Sequence, residues 1–106
     1  MGNVSSLLRT APDADALKKI QTHCSSLVSA HRVCVLANEE EANKYCKRLR
    51  ENAEACAASQ TKQCAKIAKA FYACVQTSNE CEKYAKAVRT CLHRNSLPIT
   101  TLHKHC

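Results

Sequence analysis

The chain has no tryptophan, one phenylalanine, one glycine and two prolines in 106 residues. Bulky apolar residues are scarce too. A large greasy core is therefore excluded, and a chain this small needs staples. The shortage of Gly and Pro argues against an all-β fold, which needs turn residues at every hairpin. From Asp13 to Leu97 there is neither Gly nor Pro, and that stretch reads as helices. No run of about 18 apolar residues is present, so no segment reads as a bilayer span. Carboxylate pairs at catalytic spacing, a Ser/His/Asp set and a Gly-rich phosphate loop are all missing, and the chain reads as non-catalytic, with no cofactor.

Cysteine, by contrast, is abundant: there are nine. That density points to an oxidising compartment. Yet the start, Met1 to Arg9, lacks the apolar run of a secretory signal, and its single early base is a poor mitochondrial presequence.

The spacing is more informative than the count. Cys24/Cys34, Cys46/Cys56, Cys64/Cys74 and Cys81/Cys91 are each separated by nine residues. On a helix such a pair lies roughly 15 Å apart along the axis, too far for one metal ion. Between the cysteines the side chains follow a 3-4-3 step: Leu27 and His31, Leu49 and Ala53, Ile67 and Phe71, Tyr84 and Val88. That is one face of a helix. Leu17 and Ile20 extend the first stripe backward. Each pair thus marks a helix with a cysteine near each end of its buried face. Asp13 after Pro12 opens the first helix. Asn38 with Glu41, and Thr77 with Glu80, read as capping boxes for the second and fourth. The Cys56–Cys64 connector carries the weakest break, which leaves open that the second and third helices run on.

Neighbouring helices joined by a short turn pack antiparallel. The expected fold is all-α, two consecutive disulfide-stapled hairpins, with bridges Cys24–Cys56, Cys34–Cys46, Cys64–Cys91 and Cys74–Cys81. A rival pairs the second and third helices through Cys46–Cys74 and Cys56–Cys64. The expected divisions are a flexible N-terminal segment 1–12, hairpins 13–57 and 58–95, and a tail 96–106. Each bridge should add about 2–4 kcal/mol.

This pattern resembles the twin Cys-x9-Cys, or coiled-coil–helix–coiled-coil–helix, family. The resemblance implies a stapled helical hairpin, import by the disulfide relay of the mitochondrial intermembrane space, and residence there. Phe71 and Tyr84 match the family's import signal best. Four motifs in place of two are similar to an accessory subunit of respiratory complex I. The partners this implies are subunits of a large inner-membrane complex. The alternatives are another assembly (ATP synthase, cytochrome c oxidase, a cristae-organising scaffold or the mitoribosome) or an assembly factor. The missing Cys-Cys and Cys-x-x-Cys argue against a copper or redox carrier.

Gly2 with Ser6 fits the N-myristoylation pattern, and one acyl chain would assist membrane docking rather than anchor. Charge is lopsided. Residues 1–57 carry +1 and residues 58–106 carry +6 of the net +7. Lys62, Lys66 and Lys69, with Lys83, Lys86 and Arg89, form a candidate basic face, a solvated surface or a contact for anionic headgroups. Few aromatics leave no stacking platform for nucleic acid. His31 lies on the first stripe and reads as a packed core histidine. His103, His105 and Cys106 are a weak metal cluster on a mobile tail, and Cys106 is the odd thiol.

Overall fold

Helix α1 spans Ala14–Ala37. Asp13 caps it, its Oδ1 accepting the Asp15 N–H at 2.9 Å, which satisfies one of the orphan donors of the first turn. At the other end Asn38 acts backward. Its N–H donates to the Cys34 and Val35 carbonyls, and its Nδ2 donates to Cys34 O at 2.9 Å. The expected capping box at Asn38 is therefore absent: the side chain is spent on the carbonyls that α1 leaves unpaired. A 3-10 turn, Glu39–Glu41, follows, then short α2 (Ala42–Tyr45) and α3 (Lys47–Ser59). The expected second helix is thus broken at Cys46.

The chain then turns through 60–64. Thr61 is buried and donates from Oγ1 to Ala57 O at 2.8 Å. The weakest expected break is a real one, and α4 (Ala65–Thr77) starts afresh. Helix α5 covers Glu82–Arg94. Its approach is held by Ser78, whose hydroxyl accepts the Glu80 N–H at 2.9 Å. Thr77 instead bonds back to Ala73 and Cys74, so the second expected box is also absent. The structure, a computed structural model, describes residues 11–106, all-helical and without strands among them. Gly2 lies outside the described residues. No helix among them is long and apolar enough to cross a membrane.

The bridges are Cys24–Cys56, Cys34–Cys46, Cys64–Cys91 and Cys74–Cys81, with Cα separations of 5.9, 5.9, 5.8 and 6.0 Å. The rival pairing through Cys46–Cys74 is excluded. Cysteines 46, 64 and 81 each sit immediately before a helix, so three of the four helices that carry the pairs begin at a staple.

The hairpins do not stand apart. Helix α3 packs on α1 and also on α4 and α5. Its Ala53, Ala55, Ala57 and Ala58 are fully buried. A helix surrounded on that many sides needs small side chains, because neighbouring backbones approach closely. Alanine supplies that closeness at the best helix propensity. The expected stripes are buried at Cys24, His31, Ala53, Cys64, Phe71 and Val88, but Leu27, Ile67, Tyr84 and Cys91 are half-buried and the residues after them, Val28, Ala68, Ala85 and Leu92, are buried instead.

Residues 96–106, expected as a tail, are structured. Asn95 ends α5 and Ser96 has φ 59. Leu97 N–H bonds Leu92 O at 2.8 Å and Ser96 N–H bonds His93 O at 3.1 Å. This is a Schellman turn with serine where glycine is usual. It directs the fully buried Leu97 into the core, and after Pro98 a final helix, α6 (Ile99–His105), packs on α1 and α3 with Leu102 fully buried.

Candidate functional site

Two polar constellations and one cleft distinguish the folded surface. The first lies on the seam between the hairpins. Glu54 sits among the alanines of α3 with 2% exposure. Its Oε1 lies 3.4 Å from Arg89 Nε on α5 and 3.8 Å from Arg50 Nε on α3. Burial holds its carboxyl above the usual range, against the opposing pull of Arg89 and Arg50. Arg50 Nε, Arg89 Nη2 and Glu51 Oε2 are buried without a hydrogen bond among the described residues. The cluster therefore gathers two acids and two bases with loose geometry. A buried group of this kind adds little net stability, whereas removing one member is costly because it leaves the others buried and unpaired. A second link of reversed polarity crosses the seam at the hairpin tips: Lys47 Nζ to Glu82 Oε1 at 2.8 Å, both half exposed.

The second constellation joins α1 to α6. His31 is 5% exposed. Its Nδ1 lies 2.9 Å from His103 Nε2 on α6. Arg32 donates to His103 O at 3.0 Å, and Gln21 donates to His105 O at 2.9 Å. Burial first, then the neighbouring His103 and Arg50, lowers His31 to about 4. Burial, then Arg32, lowers His103 as well. A neutral pair makes one hydrogen bond, with one ring donating and the other accepting. Two protonated rings would oppose two donors.

Beside the seam a cleft of about 1020 Å³ opens between the two hairpin tips. Tyr45, Arg48 and Glu51 line one wall, and Phe71, Val75 and Lys83 the other. It holds no nucleophile–base pair.

The other sequence-derived residues fall as follows. Lys62, Lys66, Lys69, Lys83 and Lys86 are exposed. Lys62 lies in the turn before α4, so only Lys66 and Lys69 share that helix. Arg89 leaves the basic face altogether, half-buried against Glu54. Phe71 is buried at 3% exposure, and Tyr84 is half-buried against the same core. His103, His105 and Cys106 do not converge: His103 turns to His31, His105 is exposed, and Cys106 is half-buried, its thiol pushed up chiefly by burial. Among the described residues no group of three metal-ligating side chains forms.

Sequence reading missed Glu54 and α6. Glu54 carried one signal, a lone acid inside an alanine run. For α6 the signal was the apolar spacing of Ile99, Leu102 and Cys106 after Pro98. Comparison with protein-family models, curated proteins and solved structures found no match to this chain.

Proposed function

We propose that this chain is a non-catalytic, disulfide-stapled subunit of a mitochondrial inner-membrane respiratory complex, held on the intermembrane-space side and closest in kind to the four-motif accessory subunit of complex I. The observation that carries the reading is the set of four Cys-x9-Cys helices closed by bridges within two consecutive hairpins. A core this dependent on staples suits an oxidising compartment. Import by the disulfide relay fits the burial of Phe71: a partner can read that ring only before the second hairpin closes. The exposed lysines of α4 and α5 suit peripheral contact with anionic headgroups. Gly2 acylation would add a marginal anchor.

The test is a native gel of mitochondrial membranes with mass spectrometry of the band that holds the chain. Stable co-migration with complex I is the expected result. Free protein, or sedimentation with ribosomes, overturns it. Intact-mass analysis tests Gly2, and an unmodified or acetylated terminus removes the lipid from the proposal.

A further inference from the structure

Among the described residues five large apolar side chains are exposed, and four of them fall on two helix faces. Val33 and Leu36 on α1 are 60% and 66% exposed, and Tyr72 and Val75 on α4 are 38% and 46% exposed. Exposed apolar residues gathered in pairs rather than scattered mark contact surfaces. What flanks each pair differs in sign. Beyond Leu36 comes the exposed acidic turn Glu39–Glu41. One and two turns before Tyr72 come exposed Lys69 and Lys66. Laid antiparallel, the two faces place Val33 against Val75 and Leu36 against Tyr72, and the acidic turn Glu39–Glu41 then falls on the side of Lys69 and Lys66. Within each helix the two apolar residues, Val33 and Leu36 or Tyr72 and Val75, are three residues apart, roughly 4.5 Å of rise.

We propose that these two faces are complementary halves of a head-to-tail contact between copies of this chain. Because the surfaces are different, each copy keeps one half of each kind free after pairing. The contact is heterologous and builds short chains or a ring rather than a closed two-fold dimer. This inference is independent of the proposed membrane assembly. It needs only the apolar pairs and the charges beside them.

The test is sedimentation equilibrium on the oxidised full chain carrying Cys106→Ser, which removes chance thiol dimers. At ionic strength of about 0.05 M the mean mass should rise with concentration, and at about 0.5 M it should fall toward monomer as the charges are screened. Leu36→Glu should weaken association at least about tenfold, the cost of an uncompensated charge in the contact. One triple and one double charge reversal supply the decisive arm. Glu39→Lys/Glu40→Lys/Glu41→Lys makes both faces basic, and Lys66→Glu/Lys69→Glu makes both acidic. Each alone should stay monomeric. Mixed, they should assemble, since the acidic α1 face of one meets the unaltered α4 face of the other. All these positions are exposed, and helical circular dichroism reports whether each variant is folded. A wild-type chain that stays monomeric at every concentration overturns the proposal. So does association that survives either reversal alone, or folded variants that fail to assemble on mixing.

Discussion

The two hairpins obey one cysteine rule and solve different packing problems. The first pairs a 24-residue helix with a 13-residue one. Its long member has more face than its partner covers, and α6 packs on that surplus. The second pairs two helices of 13 residues each. It has no surplus, but it carries only two acids, Glu80 and Glu82, against eight bases across residues 58–106. Its inward base, Arg89, takes its carboxylate from the first hairpin's Glu54, while Glu82 is given to Lys47. The first hairpin therefore lacks cover and borrows it from the C-terminus. The second lacks negative charge and borrows it from the first. Neither is a self-sufficient unit.

The sharpest break of this comparison is reduction. Full reduction should unfold both hairpins, read as loss of helical circular dichroism and of the thermal transition. An unchanged midpoint would refute the staple argument. Removing one bridge at a time should separate positions within each hairpin. The Cys24–Cys56 bridge spans 32 residues and Cys74–Cys81 spans 7. Loop entropy makes the Cys24→Ser/Cys56→Ser loss larger by about 1 kcal/mol.

Next in size, Glu54→Ala should cost about 3 kcal/mol, because it strands two arginines at the seam. Chemical denaturation at neutral pH measures this. Glu54→Ala/Arg89→Met should recover much of that loss, and a double variant worse than the single one would show that Arg89 has another partner.

A pH titration of stability then separates the clasp from the seam. His31 and His103 have folded values below their ordinary one. Their contribution is whole above about pH 6.5 and is lost as pH falls toward about 4, where His31 itself titrates. Glu54, with a raised folded value, acts in the opposite sense, and its contribution declines as pH climbs through the carboxylate range and beyond. His31→Asn should flatten the fall in thermal midpoint between pH 6.5 and 4. An unchanged slope would remove the imidazole pair as its source.

The smallest effect is a gain. Ser96 holds a left-handed conformation that glycine adopts freely. Ser96→Gly gives up the serine's own interaction and should raise stability by less than about 1 kcal/mol, as read by the denaturation midpoint.

The hairpins were legible because each cysteine pair carries its packing stripe with it, so local periodicity reports both the helix and its partner. The remainder depends on distance. The seam escaped because the stripe Cys46–Leu49–Ala53–Cys56 accounts for only one side of α3. Nothing local says that a second side, holding Glu54, is covered as well. The clasp escaped because His31 and His103 are 72 residues apart. The turn that makes it possible uses serine, so the usual glycine marker of a helix end is missing. Even the two misjudged capping boxes share a cause: Asn38 and Thr77 serve the helix behind them, and residue type alone does not say which way a side chain will reach.

The placement of the staples also sets an order of events. The bridges at the hairpin tips, Cys34–Cys46 and Cys74–Cys81, span 12 and 7 residues, while those at the bases span 32 and 27. Shorter loops meet more often. Oxidation should therefore run from tip to base in both hairpins, like two zippers closed from their ends. The half-oxidised chain then keeps Cys24, Cys56, Cys64 and Cys91 as thiols. These four flank the turn where one hairpin hands over to the other. The last bonds to form are thus the ones that commit the two halves to a common core.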